Sequence, residues 1–344
     1  MKTYEVTIGI PVYNAEKYIR QTMNSALSQS FDSIEFLICD DCGTDRSMDI
    51  VREYQQSHPR GNDIHIVRQP HNKGIGEGRN RLIDEAQGKY LYFMDADDLI
   101  ESDTITKLYD TAIKYNAQMV YGSYERVEDF GGEVKHIQCS YPLMVFEEEN
   151  QFANWAYRKY EGIQAMIWNI LIEIEIFRIN SIRFPSLNFW EDFVTTIILP
   201  TYITRVVMLP DMTYHYFCRY GSMSQYQHRN RIEKDEIVRI ILAVEQLKAQ
   251  SARLTCKPYF VKWMHKVMKT SFYIATTIIK HENIIIPAFT NEEIRNSMHS
   301  PLKLREEIMF NNRNLENFLL YLLGVLPSDV SVFFLRLVIK LRKI

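Results

Sequence analysis

The chain has 344 residues, 46% hydrophobic and 24% charged, a globular composition that excludes a disordered chain. A net charge of -3 carries no nucleic-acid footprint, and five scattered cysteines make no disulfide framework, which fits a reducing, cytoplasmic setting. The N-terminus lacks the basic, apolar and small-residue succession of a signal peptide, and no uncharged apolar run approaches the ~20 residues of a membrane span.

The first 125 residues alternate two patterns. Short apolar runs predict strands at Val6–Ile10, Ile34–Cys39, Ile64–Val67, Tyr90–Met94 and Gln118–Tyr121. Helical periodicity predicts helices over Ala15–Gln29, Asp45–Gln56, Gly76–Ala86 and Ser102–Tyr115, the last capped by Ser102. Such alternation implies an α/β fold, a mostly parallel sheet flanked by helices, with its ligand beyond the carboxyl ends of the strands. The segments that follow the first four strands are "PVYNAE", "DDCGTDRS", "QPHNKGIGEGRN" and "DADD", all polar, turn-rich or acidic. They should gather on one rim.

From about 125 the pattern loosens. "EDFGGEVKH" predicts a hairpin around Gly131 and Gly132, "FEEENQFANWAYRKY" a helix, and "RVVMLPDMTYHYF" two short strands with a turn at Pro210-Asp211. From about 230 the character is helical. The closing segment, "SDVSVFFLRLVIKLRKI", predicts a capped helix with Arg336, Lys340 and Lys343 on one stripe. A basic amphipathic helix over 329–344 suits an anionic membrane surface, or else a terminal helix packed on its domain or in a dimer contact.

The rim carries the chemistry. In "DADD", alternating carboxylates at a strand end suit a hard divalent cation such as Mg²⁺ or Mn²⁺, and equally well the positive end of the following helix. Asp40 and Asp41 suit the edge of a nucleobase or a ribose, and also a turn capped by Thr44; both readings can hold together. Cys39 and Cys42 read as a strand-end and a loop cysteine rather than a redox or zinc pair. Gly74, Gly76 and Gly78 give G-x-G-x-G rather than the G-x-G-x-x-G of dinucleotide binding, and suit a loop whose backbone approaches a ligand. Arg79 then opens a helix facing the rim, able to stack on a base or meet a phosphate, or else simply exposed. Glu191 and Asp192 in "NFWEDFV" lie among Phe189, Trp190 and Phe193, where desolvation would raise a carboxyl pKa toward that of a general base; a helix N-terminal acidic pair is the plainer reading.

Together, "TIGIPVYNAEKYIRQTMNSALSQSF", "EFLICDDCGTDRS", "NKGIGEGRNRLIDEAQGKYLYFMDADDLI", "IWNILIEIEIF", "FWEDF" and "YHYFCRYGSMS" resemble the family 2 glycosyltransferases of the GT-A fold, most closely bacterial enzymes that build capsule, exopolysaccharide or lipopolysaccharide. The resemblance is dense over 5–125 and thinner to about 225. It implies a GT-A domain over 1–225, with a nucleotide-sugar half (1–125) and an acceptor half (126–225), and a helical region over 226–344. It implies a uracil and ribose pocket lined by Pro11, Val12, Tyr13 and Asn14, with Asp40, Asp41, Lys73, Gly74 and Arg79 around the donor. Asp95, Ala96 and Asp97 form the D-x-D. Asp97, Asp98 and Asp95 are the metal candidates, with His215 a further one, and His215 and Arg219 in reach of the diphosphate. "WED" supplies the catalytic base, Asp192 in preference to Glu191, and Trp190 the acceptor side.

The implied reaction is inverting transfer of a hexosyl or N-acetylhexosaminyl group, with Mn²⁺ or Mg²⁺, from a nucleotide sugar (a UDP-sugar foremost) to a saccharide or lipid-linked saccharide. Its setting would be the cytoplasm or the inner face of the cytoplasmic membrane. The chain departs from the family pattern in "DDCGTD", where "DDGSTD" is usual, and in Gly76 and Gly78, whose effect should be a more mobile third loop. A nucleotidyltransferase is the rival enzyme, but the N-terminal region lacks a basic phosphate-gripping motif. A non-catalytic nucleotide-sugar-binding module is the other rival, although the acids at 97, 98 and 192 are all present.

Overall fold

A computed structural model describes residues 3–158, 165–187, 190–220, 230–311 and 315–342. The described residues fall into two compact units, those within 1–152 and 163–226 and those within 153–162 and 227–344.

The first unit opens β1 (Tyr4–Val12), α1 (Ile19–Leu27), β2 (Ile34–Asp40), α2 (Ser47–Ser57), β3 (Ile64–Arg68), α3 (Ile75–Glu85) and β4 (Gly88–Phe93). There follow β5 (Leu99–Ile100), α4 (Thr104–Lys114), β6 (Met119–Asp129), β7 (Lys135–Cys139) and β8 (Met144–Phe146). After α5 (Gln151–Arg158), which belongs to the second unit from Ala153 onward, come β9 (Ile170–Glu173), α6 (Glu175–Ile179), α7 (Glu191–Ile198) and β10 (Val206–Arg219). Among the described residues these strands form one ten-stranded sheet with the order β3-β2-β1-β4-β9-β6-β10-β5, while β7 pairs with β6 and β8 with β10. The first four strands are parallel, with Val12 opposite Asp40, Asp40 opposite Arg68, and Gly9 opposite Phe93. Their carboxyl ends therefore share one edge.

β2 is buried along its whole length, as a parallel strand covered on both faces must be. Val6, Ile8, Ile10 and Val12 of β1 pack with Ile19 and Met23 of α1, Val51 of α2 and Leu108 of α4 in one apolar core. The alternate residues meet α3: a Cβ on Gly9 would lie 3.3 Å from Leu82 Cδ1, and one on Gly78 would lie 3.4 Å from Pro11 Cβ. Three sequence expectations are corrected here. Pro210-Asp211 does not turn the chain, and β10 runs unbroken for 14 residues by absorbing register shifts at Met208/Met212 and Met212/Tyr214. Asp103, not Ser102, precedes α4, and its side chain makes no cap; the hydroxyl of Thr104 instead donates to Thr213 O at 2.7 Å. Gly76 and Gly78 lie in the first turn of α3, and a Cβ on Gly76 would meet Pro185 O at 2.3 Å, so these glycines permit close packing instead of loosening a loop.

The second unit holds β11 (Ile232–Glu233), α8 (Lys234–Ala249), α9 (Ser251–Leu254), α10 (Phe260–Lys280), β12 (Ile285–Ile286), α11 (Asn291–Ser297), α12 (Leu304–Asn311), α13 (Leu315–Val325) and α14 (Ser328–Arg342). Trp263, Val267, Ala275 and Ile278 of α10 are buried, as are Val244 and Leu247 of α8 and Val332 and Leu335 of α14. A capping box starts α11: Thr290 Oγ1 accepts from Glu293 N, and Glu293 Oε2 accepts from Thr290 N. Among the described residues no helix is long and apolar enough to cross a membrane.

Candidate active site

The four strand-end segments meet at the carboxyl edge of β1 to β4. Asp41 is buried, and its carboxylate accepts from Lys73 N at 2.8 Å and Gly74 N at 2.9 Å, which ties the end of β2 to the loop before α3. Gly74 takes φ +85°, a left-handed conformation that glycine adopts without strain. Asp40 Oδ1 accepts from Cys42 N at 2.9 Å, and Cys42 Sγ donates to Gln69 O at 3.1 Å, so the C-x-x-C shapes a turn. Asn14 Oδ1 accepts from Thr44 N at 2.8 Å, which joins the first rim segment to the second. Pro11 and Val12 are buried behind this edge, whereas Tyr13, Asn14 and Lys73 are exposed on it.

Behind "DADD" lies a buried frame. Thr22 Oγ1 of α1 donates to Ala96 O at 2.9 Å and Asp98 O at 3.0 Å. Tyr214 of β10 donates its hydroxyl to Asp98 Oδ2 at 2.8 Å and accepts from Asp95 N at 3.2 Å, while Phe217 N donates to Asp98 Oδ1 at 2.8 Å. Tyr214 stacks on Trp168 at 4.6 Å and 8° between planes. Beside them, Asn169 accepts from Tyr92 and Thr213 hydroxyls and donates to Gly122 O and Ser123 O. Trp168, Asn169 and Tyr214 were legible only as apolar or strand residues, because their partners come from distant segments.

This frame separates the three acids. Asp98 is 1% exposed with both oxygens committed, and burial with the neighbouring Asp97 and Asp95 pushes its carboxyl well above the usual range. The metal candidate Asp98 thus sits behind the rim, with its oxygens held by Tyr214 and Phe217. Asp95 and Asp97 are more open, with side chains 21% and 38% exposed. Burial first and Asp95 second raise the Asp97 carboxyl to about 6, and Arg219 Nη1 stands 3.9 Å from it, which opposes the rise. Among the described residues no group of three or more His, Cys, Asp and Glu side chains is gathered to hold a metal. His215, the further candidate, has its Nε2 2.8 Å from Glu101 and its Nδ1 3.0 Å from Glu125.

Arg79 lies 1% exposed instead of open on the rim. Its Nη1 donates to Glu191 Oε1 at 2.6 Å and its Nη2 to Asp95 Oδ1 at 3.1 Å, with the Phe184 ring 5.6 Å from the guanidinium. Among the described residues the Nε has no hydrogen-bond partner. Burial opposes the charge, but Asp95, Glu191 and Asp192 outweigh it and hold Arg79 firmly protonated. Asn80 exchanges two 2.9 Å hydrogen bonds with the Phe184 backbone, which fixes the segment leading to α7 against α3.

Trp190, at φ +71°, turns the chain into α7, where Glu191 and Asp192 form the first turn. Trp190 packs 5.2 Å from Phe193. Asp192 is only partly exposed, and its Oδ1 accepts from Phe193 N at 2.7 Å. Burial, then Glu191 and Asp95 working against Arg79, raise its carboxyl to about 7. The arrangement gathers Asp95 from the strand ends, and Glu191 with the raised Asp192 carboxyl from α7, around one buried cation. Phe189, Lys343 and the stretch 221–224 lie outside the described residues.

The chain is 30% identical over 190 residues to an uncharacterized glycosyltransferase of Haemophilus influenzae, covering 55% of this chain and 68% of that one. It is 33% identical over 126 residues to the putative teichuronic acid biosynthesis glycosyltransferase TuaG of Bacillus subtilis, covering 37% and 49%. It thus spans only part of the length of these relatives. Its fold is similar to that of S. aureus TarS 1-349, solved in complex with UDP-GlcNAc, with a TM-score of 0.63 over 93% of this chain and 90% of that one at 17% identity. The description of glycosyl transferase family 2 matches residues 7–188, which contain all four rim segments and the clamp between Asn80 and Phe184 but stop just short of Glu191 and Asp192. With more than half of its length matched, the chain belongs to glycosyl transferase family 2.

Proposed function

We propose that this protein is an inverting, metal-dependent glycosyltransferase that moves a hexosyl or N-acetylhexosaminyl group from a UDP-sugar to a hydroxyl of a bacterial surface polysaccharide or its lipid-linked precursor. The observation that carries the reading is Asp192, a carboxyl raised to about 7 and adjacent to Glu191, which the buried Arg79 joins to Asp95 at the strand ends. Similarity to TuaG supports a surface-polymer acceptor, and similarity to a UDP-GlcNAc-bound fold supports a UDP-linked donor.

The donor lies along the exposed rim. Tyr13 offers an open aromatic face to the uracil ring, Asn14 and Lys73 offer polar groups to ribose and phosphate, and Asp40 and Asp41 set the loops that present them. Asp97 and Asp95 are hard oxygen donors crowded enough to repel each other, the chemistry that Mg²⁺ or Mn²⁺ accepts from one or two carboxylates with phosphate oxygens completing the shell. The ion, when bound, neutralises the departing diphosphate. Asp192 takes the proton from the acceptor hydroxyl as its oxygen bonds to the anomeric carbon. The bond from that carbon to the diphosphate oxygen breaks, and UDP leaves with the electron pair. Attack opposite the leaving group inverts the anomeric centre. Glu191 and Arg79 are positioning residues, and Trp190 walls the acceptor side.

The test is release of UDP from a panel of UDP-sugars with Mn²⁺, by wild type and Asp192→Asn. Turnover in wild type, reduced at least about a hundredfold in the variant, is expected for loss of a general base. Full activity in Asp192→Asn overturns the base assignment. Tight UDP-sugar binding without turnover by wild type makes the chain a binding module.

A further inference from the structure

The outer face of α14 is apolar and exposed. Val330, Phe333, Phe334, Leu337 and Leu341 are 40%, 62%, 43%, 39% and 74% exposed. At a helical rotation of about 100° per residue they occupy a single arc of roughly 100°. Ser331, Val332 and Leu335, on the opposite side, are buried. The helix therefore carries two apolar faces, and its own unit covers one of them. Among the described residues, eleven of the 21 exposed large apolar side chains lie within 304–341, about a tenth of the chain. Scattered exposure is ordinary for a protein surface; concentration on one stretch is not.

Charge selects what covers this face. From Val330 onward the sequence contains no Asp or Glu and four cations, Arg336, Lys340, Arg342 and Lys343. On the helix, Lys340 and Arg336 border the arc on one side, where Lys340 is exposed and Arg336 is bound to Glu282. Two copies of such a face would bring like charges together as they buried their apolar arcs. A bilayer with anionic headgroups accepts the apolar arc at the acyl boundary and Lys340 at the phosphates. We infer that α14 binds an anionic lipid surface through this arc, lying in the plane of the interface. The inference goes beyond the transferase reading and does not rest on it, since lipid binding is measured without sugar nucleotide.

The experiment is co-sedimentation of the full chain with vesicles of phosphatidylcholine alone and of phosphatidylcholine with phosphatidylglycerol. Wild type is expected to partition at least tenfold better onto the anionic vesicles. Phe333→Ser combined with Leu337→Ser, both exposed, should lower that partition at least tenfold with an unchanged melting temperature. Lys340→Ala should lower it about fivefold, the equivalent of about 1 kcal/mol per basic residue, and keeps the test valid if the double variant fails to fold. Three results overturn the inference: wild type that does not sediment above the lipid-free control, equal partition onto both vesicles, or variants that bind like wild type. Concentration-dependent dimerisation abolished by the double variant, with no vesicle binding, assigns the face to a second copy instead.

Discussion

Arg79 and Glu191 stand 112 residues apart in sequence and meet as a buried ion pair, Nη1 to Oε1 at 2.6 Å, with side chains 2% and 6% exposed. The second arm of the same guanidinium reaches Asp95 at 3.1 Å. A buried cation with two carboxylate partners is a costly arrangement that the fold keeps only while all three are present. It couples the end of β4 to the start of α7, the two places from which the proposed donor-side and acceptor-side acids emerge.

Arg79→Met keeps the length of the side chain and removes its charge, leaving Glu191 and Asp95 facing each other unpaired. We expect a loss of about 3–5 kcal/mol of stability, read from the denaturant midpoint. Arg79→Lys keeps the charge, but a single ammonium cannot reproduce the planar fork that spans both acids. It should lose about half as much stability and still lower UDP release below what its folded fraction explains. A Met variant as stable as wild type would show that the pair is not what joins these elements.

Asp192 makes a prediction with two signs. Its carboxyl is raised from 3.8 to about 7 in the folded state. The protonated group therefore favours the fold fully below pH 3.8, and that contribution is lost as pH rises through about 7. Asp192→Asn cannot ionise, so it should nearly match wild type at pH 4 and exceed it by on the order of 4 kcal/mol at pH 8, seen in parallel melts. Catalysis runs the opposite way. Because the base works only as the carboxylate, kcat/KM of wild type should rise with pH through an apparent midpoint near 7. A flat profile from pH 5 to 9 would remove Asp192 from that role.

Much of the first unit was legible because its chemistry is local. A parallel strand covered on both faces reads as an unbroken apolar run, and each such run from β1 to β4 is followed by a polar segment, so the rim could be assembled before any contact was known. The "WED" acids were legible for the same reason, as charge set among aromatics. The surroundings of Arg79, Asp98 and His215 were not, because each is set by a partner far away in sequence: Glu191, Tyr214, and the pair Glu101 and Glu125. β10 was misread as two strands since a Pro-Asp step has turn chemistry, and only pairing with β6 across the register shifts keeps it extended.

Asn169 tests the buried frame behind the site. It takes φ +60°, is fully buried, and makes four hydrogen bonds to Tyr92, Thr213, Gly122 and Ser123. Asn169→Ala loses all four and places an alanine in left-handed backbone, at a cost of roughly 3–5 kcal/mol. Asn169→Gly loses the same bonds without the backbone strain, and should be more stable than the alanine variant by about 1 kcal/mol. That ordering reverses the usual preference for alanine over glycine. Calorimetric melts that rank alanine above glycine would contradict the backbone geometry.

Asp97 and Asp98 are adjacent, and metal titration separates their roles. Asp98→Asn retains one acceptor for Phe217 N, and its amide can donate to Tyr214, so it resembles the neutral carboxyl that burial favours here. It should fold normally and change the Mn²⁺ concentration for half-maximal UDP release by less than about tenfold, below the roughly ten- to hundredfold typical of losing a group that orients a ligand without touching the ion. Asp97→Asn removes a hard anionic oxygen from the more open position beside Arg219, and should raise that concentration by well over about tenfold. It should also unburden the fold above pH 6, because Asp97 is itself raised to about 6 and its protonated form contributes stability that is lost as pH rises through that value. The reverse pattern, with Asp98→Asn abolishing metal activation and Asp97→Asn leaving it intact, would return the ion to the buried acid and require the frame of Tyr214 and Phe217 to open when the ion binds.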